Sequence, residues 1–330
     1  MSDTTASLLR KISSAADLQS VVRTMKALAA SSIGQYEQSI KSLVDYYRTV
    51  ELGLSACFRE SPPKALAEVD QRQTGDDTIG AIVFGSDQGL VGRFNEVVTN
   101  EAVKTLSSLP GKPQLWAVGE RVHTLLIDTG LPILGLFPVP NSVKAIAPLI
   151  GQIQIASEAH RAKGAYTRVY VFHNRPQSGS LYEPVCQRLL PLDAKWRQGL
   201  IEVGWPTRYL PEVVGGTATL SSLIREYLFI SLFRACAESL ASENASRLAA
   251  MDRADKNIND LLVNLNGSFH RLRQSGIDEE LFDVISGFES LVGPGKSPSQ
   301  IRSILSETSP NPSTRLGPSL CQRRQFPFQS

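Results

Sequence analysis

The segment GSDQGLVGRFN, residues 85–95, has the residue types and the position that a phosphate-binding loop needs. It follows an apolar run of buried-strand type, Ile79 to Phe84, and opens a helix-like segment, Phe94 to Leu106. Backbone N–H groups at such a turn can bind a phosphate or a dinucleotide. However, its three glycines do not have the dinucleotide spacing, and no lysine follows as in a P-loop. The sequence therefore favours a tight turn that needs glycine dihedrals, and a nucleotide-dependent enzyme stays the alternative.

Other side chains that could carry out catalysis do not form a recognisable constellation. The four histidines lie in different predicted elements and are interpreted as surface or packing residues: His123, His160, His173 and His270. Glu238 and Glu243 are five residues apart on a predicted helix, which points them to different faces and predicts solvated side chains. The four cysteines are scattered and lack metal-ligand spacing. We therefore expect no catalytic site, no metal and no cofactor.

The middle of the chain alternates strand-like and helix-like segments. The predicted strands are residues 79–84, 114–118, 133–137 and 168–173, with 185–190 pairing beside the last, and the helices are residues 94–106, 120–128 and 142–162. This rhythm is typical of an open, largely parallel sheet with helices on its faces. The fold class is therefore α/β, with a central Rossmann-like α/β domain.

Both ends of the chain are predicted to be long helices. The first begins at Thr5 and ends near Phe58, and the last extends from about Thr217 to Leu291 with no proline inside it. At about 1.5 Å per residue the last helix would extend on the order of 100 Å, more than a globular core can bury. The two helices must therefore pair with each other or lie inside a partner, which suggests a shaft that carries a head.

Composition and charge set the domain boundaries and exclude several classes of function. We expect an N-terminal coiled-coil helix at residues 1–60, the α/β domain at 61–214, a C-terminal coiled-coil helix at 215–291 and a disordered, proline-rich and serine-rich tail at 292–330. With 34 basic and 32 acidic residues, the net charge of +2 attracts neither nucleic acid nor an anionic membrane. No apolar run is long enough to insert into a membrane, and the N-terminus does not have the pattern of a signal peptide.

Four strings of residues, in three segments of the chain, carry a resemblance to a known family. Residues 12–31, ISSAADLQSVVRTMKALAAS, are similar to the opening helix of the gamma subunits of F-type rotary ATP synthases. Residues 86–95, SDQGLVGRFN, resemble the turn of that family, and residues 237–257 and 273–281 resemble its C-terminal helix. Gln88, Val91 and Arg93 depart from the usual turn. The stretch from Phe229 to Phe233 and the triplet at 242–244 suggest the alternate bacterial branch, the N-ATPases.

The resemblance implies a long antiparallel coiled coil that turns inside a hexamer of alpha and beta subunits. It implies a central-stalk rotor that couples ion flow through the membrane c-ring to ATP synthesis or hydrolysis in the hexamer, without a catalytic site of its own. The implied partners are the alpha and beta subunits, the epsilon subunit and the c-ring. The implied location is peripheral, on the cytoplasmic face of the bacterial inner membrane. A coiled-coil scaffold unrelated to ATP synthase would explain the helices but not these strings.

The resemblance also assigns roles to individual residues. The expected hexamer contacts are Met25, Lys26, Arg247, Arg273, Gln274 and Asp278. The residues expected to pack the coiled coil are Val22, Leu28, Leu240, Leu248, Met251 and Ile258. Contact with the c-ring is expected at Tyr209 and Glu212.

Overall fold

A computed structural model describes residues 4–60, 78–162, 168–177, 180–192, 194–202, 205 and 212–292. Residues 61–77, at the start of the predicted α/β domain, and the predicted tail after Val292 lie outside the described residues. The described residues fall into two compact units, one made of residues 4–10 with 265–292 and the other within residues 11–264. The second unit contains the sheet and the contacts on which the site below depends. The division into four domains at residues 60, 214 and 291 stays a prediction.

Seven helices and five strands make up the described part of the chain. The helices are α1 (Thr5–Ser42), α2 (Val44–Glu60), α3 (Phe94–Ser108), α4 (Glu120–Asp128), α5 (Val143–Ala162), α6 (Ala194–Glu202) and α7 (Thr217–Val292). The strands are β1 (Thr78–Phe84), β2 (Lys112–Val118), β3 (Ile133–Phe137), β4 (Arg168–Gln177) and β5 (Ser180–Leu190). Every predicted helix and strand of the middle region is present, whereas α6 was not predicted.

The first long helix is interrupted at Leu43, where the sequence predicts a continuous helix. Just before the interruption, the hydroxyl of Ser39 donates to the Tyr36 carbonyl at 2.7 Å and that of Ser42 donates to the Ser39 carbonyl at 2.9 Å. Serine hydroxyls that bond back to the preceding turn compete with the backbone and bend helices. These two serines give the physical reason why α1 ends and α2 begins there.

The sheet has the strand order β3-β2-β1-β4-β5. The first four of these strands are parallel, and β5 pairs antiparallel with β4. One face packs on α3 and α4 through a buried cluster that includes Val83, Val98 and Leu126. The other face packs on α5, and α1 and α7 join the same cluster through Tyr36 and Leu240. The predicted open, largely parallel sheet with helices on both faces is confirmed.

The two long helices run antiparallel beside each other. Gln19 Nε2 and Arg23 Nε each lie 3.1 Å from Oδ1 of Asp255, and Lys26 forms an ion pair with Asp252. From Gln19 to Lys26 on α1 the partner on α7 changes from Asp255 to the earlier Asp252, so the two helices run in opposite directions. Solvent-exposed ion pairs contribute little to the free energy of unfolding, so the main effect of these pairs is to select one register of α1 against α7.

Buried positions of α1 recur every seven residues, at Ala15, Val22, Ala29 and Tyr36. A seven-residue repeat is typical of helices that pair along a narrow seam. Leu28, which we expected to pack, is 64% exposed, so that prediction is wrong. It lies one residue, about 100° around the helix, from the buried Ala29. We assigned Leu28 to the interface between the helices because it is the larger apolar residue, but Ala29 is the one that is buried there.

Two neighbouring substitutions on α1 test this assignment. We expect Ala29→Leu to destabilise the protein by about 2 kcal/mol because the interface between α1 and α7 has no room for three more carbon atoms. Leu28→Ala should change the free energy of unfolding by about 0.5 kcal/mol or less because the side chain is already solvated. Urea unfolding of the full chain, followed by circular dichroism, measures both. A larger cost for Leu28→Ala than for Ala29→Leu would contradict the assignment.

Candidate functional site

The carboxyl ends of the parallel strands β1, β2 and β3 meet at one edge of the sheet, where α/β folds usually bind ligands. The segment 85–95 leaves β1 at this edge. The Asp87 carboxylate accepts hydrogen bonds from the backbone N–H of Glu120 through Oδ1 at 3.0 Å and of Val139 through Oδ2 at 2.9 Å. The N–H of Glu120 lies in the first turn of α4, where a phosphate would bind. Asp87 therefore takes the place of an anion and ties the segment to the residues that follow β2 and β3.

The rest of the turn is bonded within the protein in the same way. The Ser86 N–H donates to Asn95 Oδ1 at 2.9 Å, and Asn95 Nδ2 donates back to Ser86 Oγ at 2.8 Å. The Ser86 hydroxyl donates to the Gln88 carbonyl at 2.8 Å. A Cβ on Gly85 would crowd Val122 and would lie 2.8 Å from Asn95 Oδ1. This geometry favours the tight turn over the phosphate site.

A row of buried polar residues on α7 faces the same edge of the sheet. Glu238, Ser242 and Ser246 are four residues apart and therefore lie on one face of the helix. They are 4%, 0% and 3% exposed. We call these three residues the polar seam. Buried polar groups require partners. All three residues find partners in the five-stranded sheet with its helices α3 to α5 and connecting turns, which we call the head.

Glu238 is held by three side chains. Oε2 of Glu238 lies 2.8 Å from His173 Nε2 and 3.0 Å from Arg175 Nε, both on β4, and Oε1 lies 2.7 Å from Arg234 Nε on α7. Burial alone would raise the pKa of Glu238, but the hydrogen bonds from His173, Arg234 and Arg175 outweigh it and hold the pKa at about 2. The side chain is thus a carboxylate that accepts only, so His173 donates through Nε2.

The stability that Glu238 contributes is expected to disappear in acid. Its folded pKa lies below the ordinary value of 4.5 at about 2, so the contribution is complete above pH 4.5 and is lost as the pH falls toward 2. At neutral pH it amounts to about 3 kcal/mol. Urea unfolding of the native chain and of Glu238→Gln between pH 2 and 7 tests this. The gap between the two stabilities should narrow as the pH falls, and a constant gap would contradict the assignment.

The other two residues of the seam bond to backbone carbonyls of the head. The Ser242 hydroxyl donates to the Asn174 carbonyl at 3.1 Å, and the Ser246 hydroxyl donates to the Val91 carbonyl. Asn174 Nδ2 in turn donates to the Phe94 carbonyl at 2.9 Å. The polar seam therefore contacts both the C-terminal half of β4 and the turn between β1 and α3.

A cleft of about 240 Å³ lies beside the seam, and its lining includes Tyr36, Asp87, Glu243 and Arg247. Burial raises the pKa of Glu243, although Arg247 Nη2 lies 2.6 Å from its Oε1. The Arg247 side chain is only 13% exposed. A contact between Arg247 and a partner subunit therefore requires either a group that enters the cleft or a movement of Arg247 away from Glu243.

The expected solvation of Glu238 and Glu243 is wrong, because both side chains are buried. Their five-residue spacing does place the two side chains on different faces of α7, but other parts of the protein cover both faces at these positions. The sequence carried one signal that could have identified the seam: Glu238, Ser242 and Ser246 share a four-residue spacing. His173, interpreted as a surface or packing residue, is 1% exposed and bonded to Glu238.

The remaining predicted site residues differ in their surroundings. Of the expected packing residues, Val22, Leu240, Met251 and Ile258 are buried and Leu248 is half-buried. Of the expected hexamer contacts, Met25 and Lys26 are half-buried, and Arg273, Gln274 and Asp278 are exposed on α7. Glu212 is exposed, and Tyr209 lies outside the described residues. Contacts of these residues with partner subunits stay predictions.

Comparison with known proteins gives consistent matches. A family model described as ATP synthase matches residues 4–291. The ATP synthase gamma chain of Sorangium cellulosum is 29% identical over 322 residues, covering 86% of this chain and 98% of the relative. The ATP synthase gamma chain of Leptothrix cholodnii is 25% identical over 285 residues, covering 84% and 95%.

Two solved structures share the fold. A chain of the rotor of the Euglena gracilis mitochondrial ATP synthase has a TM-score of 0.53 at 15% identity, with 83% of this chain and 98% of that chain covered. A chain from the OSCP/F1/c-ring part of the same enzyme has a TM-score of 0.58 at 14% identity, with 95% and 99% covered.

Proposed function

We propose that this chain, which belongs to the ATP synthase family and is similar to its gamma chains, is the central-stalk rotor subunit of an F-type ATP synthase. The observation that carries the proposal is the antiparallel pair of long helices, which is bonded through a buried polar seam to a five-stranded head. In this role the chain couples ion flow through a membrane c-ring to ATP synthesis or hydrolysis in a hexamer of alpha and beta subunits.

The rotor has no catalytic site of its own under this proposal. One observation supports this: the edge of the sheet where a phosphate would bind is occupied by hydrogen bonds of Asp87, Ser86 and Asn95. The catalytic chemistry then belongs to the hexamer, and this chain supplies movement.

The helices suit a shaft that stores and transmits torque. One charge that crosses 100 mV supplies only about 2.3 kcal/mol, so several ions must contribute to one ATP. The shaft must therefore hold torque between steps without a change of register. The ion pairs of Arg23 and Lys26 with Asp255 and Asp252 resist such a change. The head would contact the c-ring and the epsilon subunit, and the shaft would turn inside the hexamer.

The chain is a peripheral component of this assembly. In the part of the chain that the structure describes, no helix is both long and apolar enough to cross a bilayer. We place the subunit on the cytoplasmic face of a bacterial inner membrane, since the gamma chains compared above are bacterial. Fractionation of cells before and after the membranes are washed with a chelator at low ionic strength tests this placement.

The decisive experiment reconstitutes the chain with its cognate alpha and beta subunits and measures ATP hydrolysis and single-molecule rotation. We expect a rotating complex that requires this chain. Arg273→Ala and Gln274→Ala should each slow rotation, by about tenfold for the arginine because a charge-assisted hydrogen bond is worth about 1.5–3 kcal/mol.

Arg271→Ala is the matched control, since Arg271 bonds within the helix to the Gly267 carbonyl at 3.3 Å. It should leave rotation unchanged. A chain that fails to join the hexamer, and instead binds nucleotide alone, would establish the alternative of a nucleotide-dependent enzyme.

A further inference from the structure

We propose that the polar seam (Glu238, Ser242 and Ser246) is the mechanical joint through which torque passes between the head and the long helix α7. This inference rests on the proposed rotor function and assigns one of its mechanical steps to particular residues. Glu238 is a positioning residue in this scheme, and no reacting group contacts it.

The seam contacts the head at three points along one face of α7. Glu238 is bonded to His173 and Arg175 on β4, Ser242 to the carbonyl of Asn174 between them, and Ser246 to the turn after β1. The three points span eight residues, or about 12 Å along the helix axis. A helix held at three points along this length can neither roll nor slide against the sheet without breaking bonds.

Directional bonds are the feature that distinguishes the seam from the rest of the interface. Around it, α7 contacts the head through apolar side chains such as Leu232, Ala237 and Leu240. Apolar contacts are non-directional and change little when packed surfaces shift slightly. Hydrogen bonds weaken steeply with distance and angle, and a buried carboxylate without its donors is strongly unfavourable. Sideways load therefore falls first on the seam.

The head distributes this load over the sheet. Asn174, whose carbonyl accepts from Ser242, donates through its side chain to Phe94 at the start of α3. The turn that accepts from Ser246 is tied by Asp87 to the first turn of α4 and to the segment after β3. The seam thus connects α7 to β4, α3, α4 and the ends of the parallel strands, so that the head turns as one body with the helix.

The test compares the double variant Ser242→Ala/Ser246→Ala, and separately Glu238→Gln, with Ser239→Ala in the complete reconstituted enzyme. Ser239 is a matched control: it is 2% exposed on the same helix, and its hydroxyl has no hydrogen-bond partner in the described part of the chain. Torsional stiffness is measured by single-molecule rotation with the hexamer fixed and a bead on the head. The number of ions pumped per ATP hydrolysed is measured in vesicles.

We expect the seam variants to reduce torsional stiffness by about twofold, because polar bonds and packed side chains bear the load in parallel, and to lower the ions pumped per ATP under load. Hydrolysis without load should stay at the native rate, and Ser239→Ala should match the native enzyme in every measurement. A purely structural role would reduce assembly or thermal stability but leave stiffness and coupling unchanged in the complexes that form, and that result would overturn the joint. If the native chain itself fails to assemble and rotate, the rotor proposal fails before the joint is tested.

Discussion

Gly119→Ala is expected to destabilise the protein by about 3 kcal/mol or more. Gly119 follows β2 and has a φ of +115°, which L side chains rarely adopt. A Cβ there would lie 2.8 Å from both the backbone nitrogen and the carbonyl oxygen of Ser86. These are backbone atoms of a turn whose bonds to Asn95 and Arg121 leave them little freedom to shift. The strain of the positive φ and the steric overlap therefore add.

Gly130→Ala separates the two contributions. Gly130 also has a positive φ, +74°, but a Cβ there would meet nothing within 4 Å. We expect this control to cost about 1 kcal/mol, the penalty of the backbone conformation alone. Urea unfolding of the full-length variants measures the difference. Equal costs at the two glycines would show that the edge of the sheet adapts easily and would weaken the claim that its polar groups are rigidly bonded.

Glu238→Ala is expected to cost about 3 kcal/mol, the second of the two largest effects. The substitution removes the acceptor for His173, which is 1% exposed and has no route to water without local rearrangement. Arg175 and Arg234 lose the same partner, but their side chains are 38% and 51% exposed and can be hydrated. Most of the cost therefore comes from the unpaired imidazole and the space left in the seam.

Arg234→Ala is the control for this substitution. It removes one of the three donors to Glu238 but only an exposed one, so we expect a loss of about 1 kcal/mol or less. Denaturant titration at neutral pH compares the variants. A loss for Arg234→Ala as large as that for Glu238→Ala would mean that the ion pair within α7, rather than the bonds to β4, provides the stability of the seam.

The elements of the fold were predictable because their signals are local. Apolar alternation and helical spacing identified β1 to β4 and α3 to α5 with small errors at their ends, since side-chain periodicity reflects which face of an element is buried. Helix α6 was missed, because its nine residues contain only three apolar side chains larger than alanine, Trp196, Leu200 and Ile201. The interruption at Leu43 was missed as well, because it depends on which acceptor the Ser39 and Ser42 hydroxyls choose.

The seam was not predictable from the residues that form it. His173 and Glu238 are separated by 65 positions, and Val91 and Ser246 by 155. A carboxylate on a helix is normally solvated because its burial without partners is unfavourable. The rule that placed Glu238 in water was therefore reasonable for a helix considered alone, and it failed because β4 supplies two donors.

The amino-acid sequence by itself determined the family and the elements β1 to β5 and α3 to α5, since both depend on patterns within short segments. Tertiary structure decided that Ala29, and not its neighbour Leu28, is buried in the interface between α1 and α7. It also decided that Glu238 is buried. The physical reason is the same in both cases. A side chain's preference is a property of its own chemistry, but its burial depends on the space and the hydrogen-bond partners that distant segments bring to it.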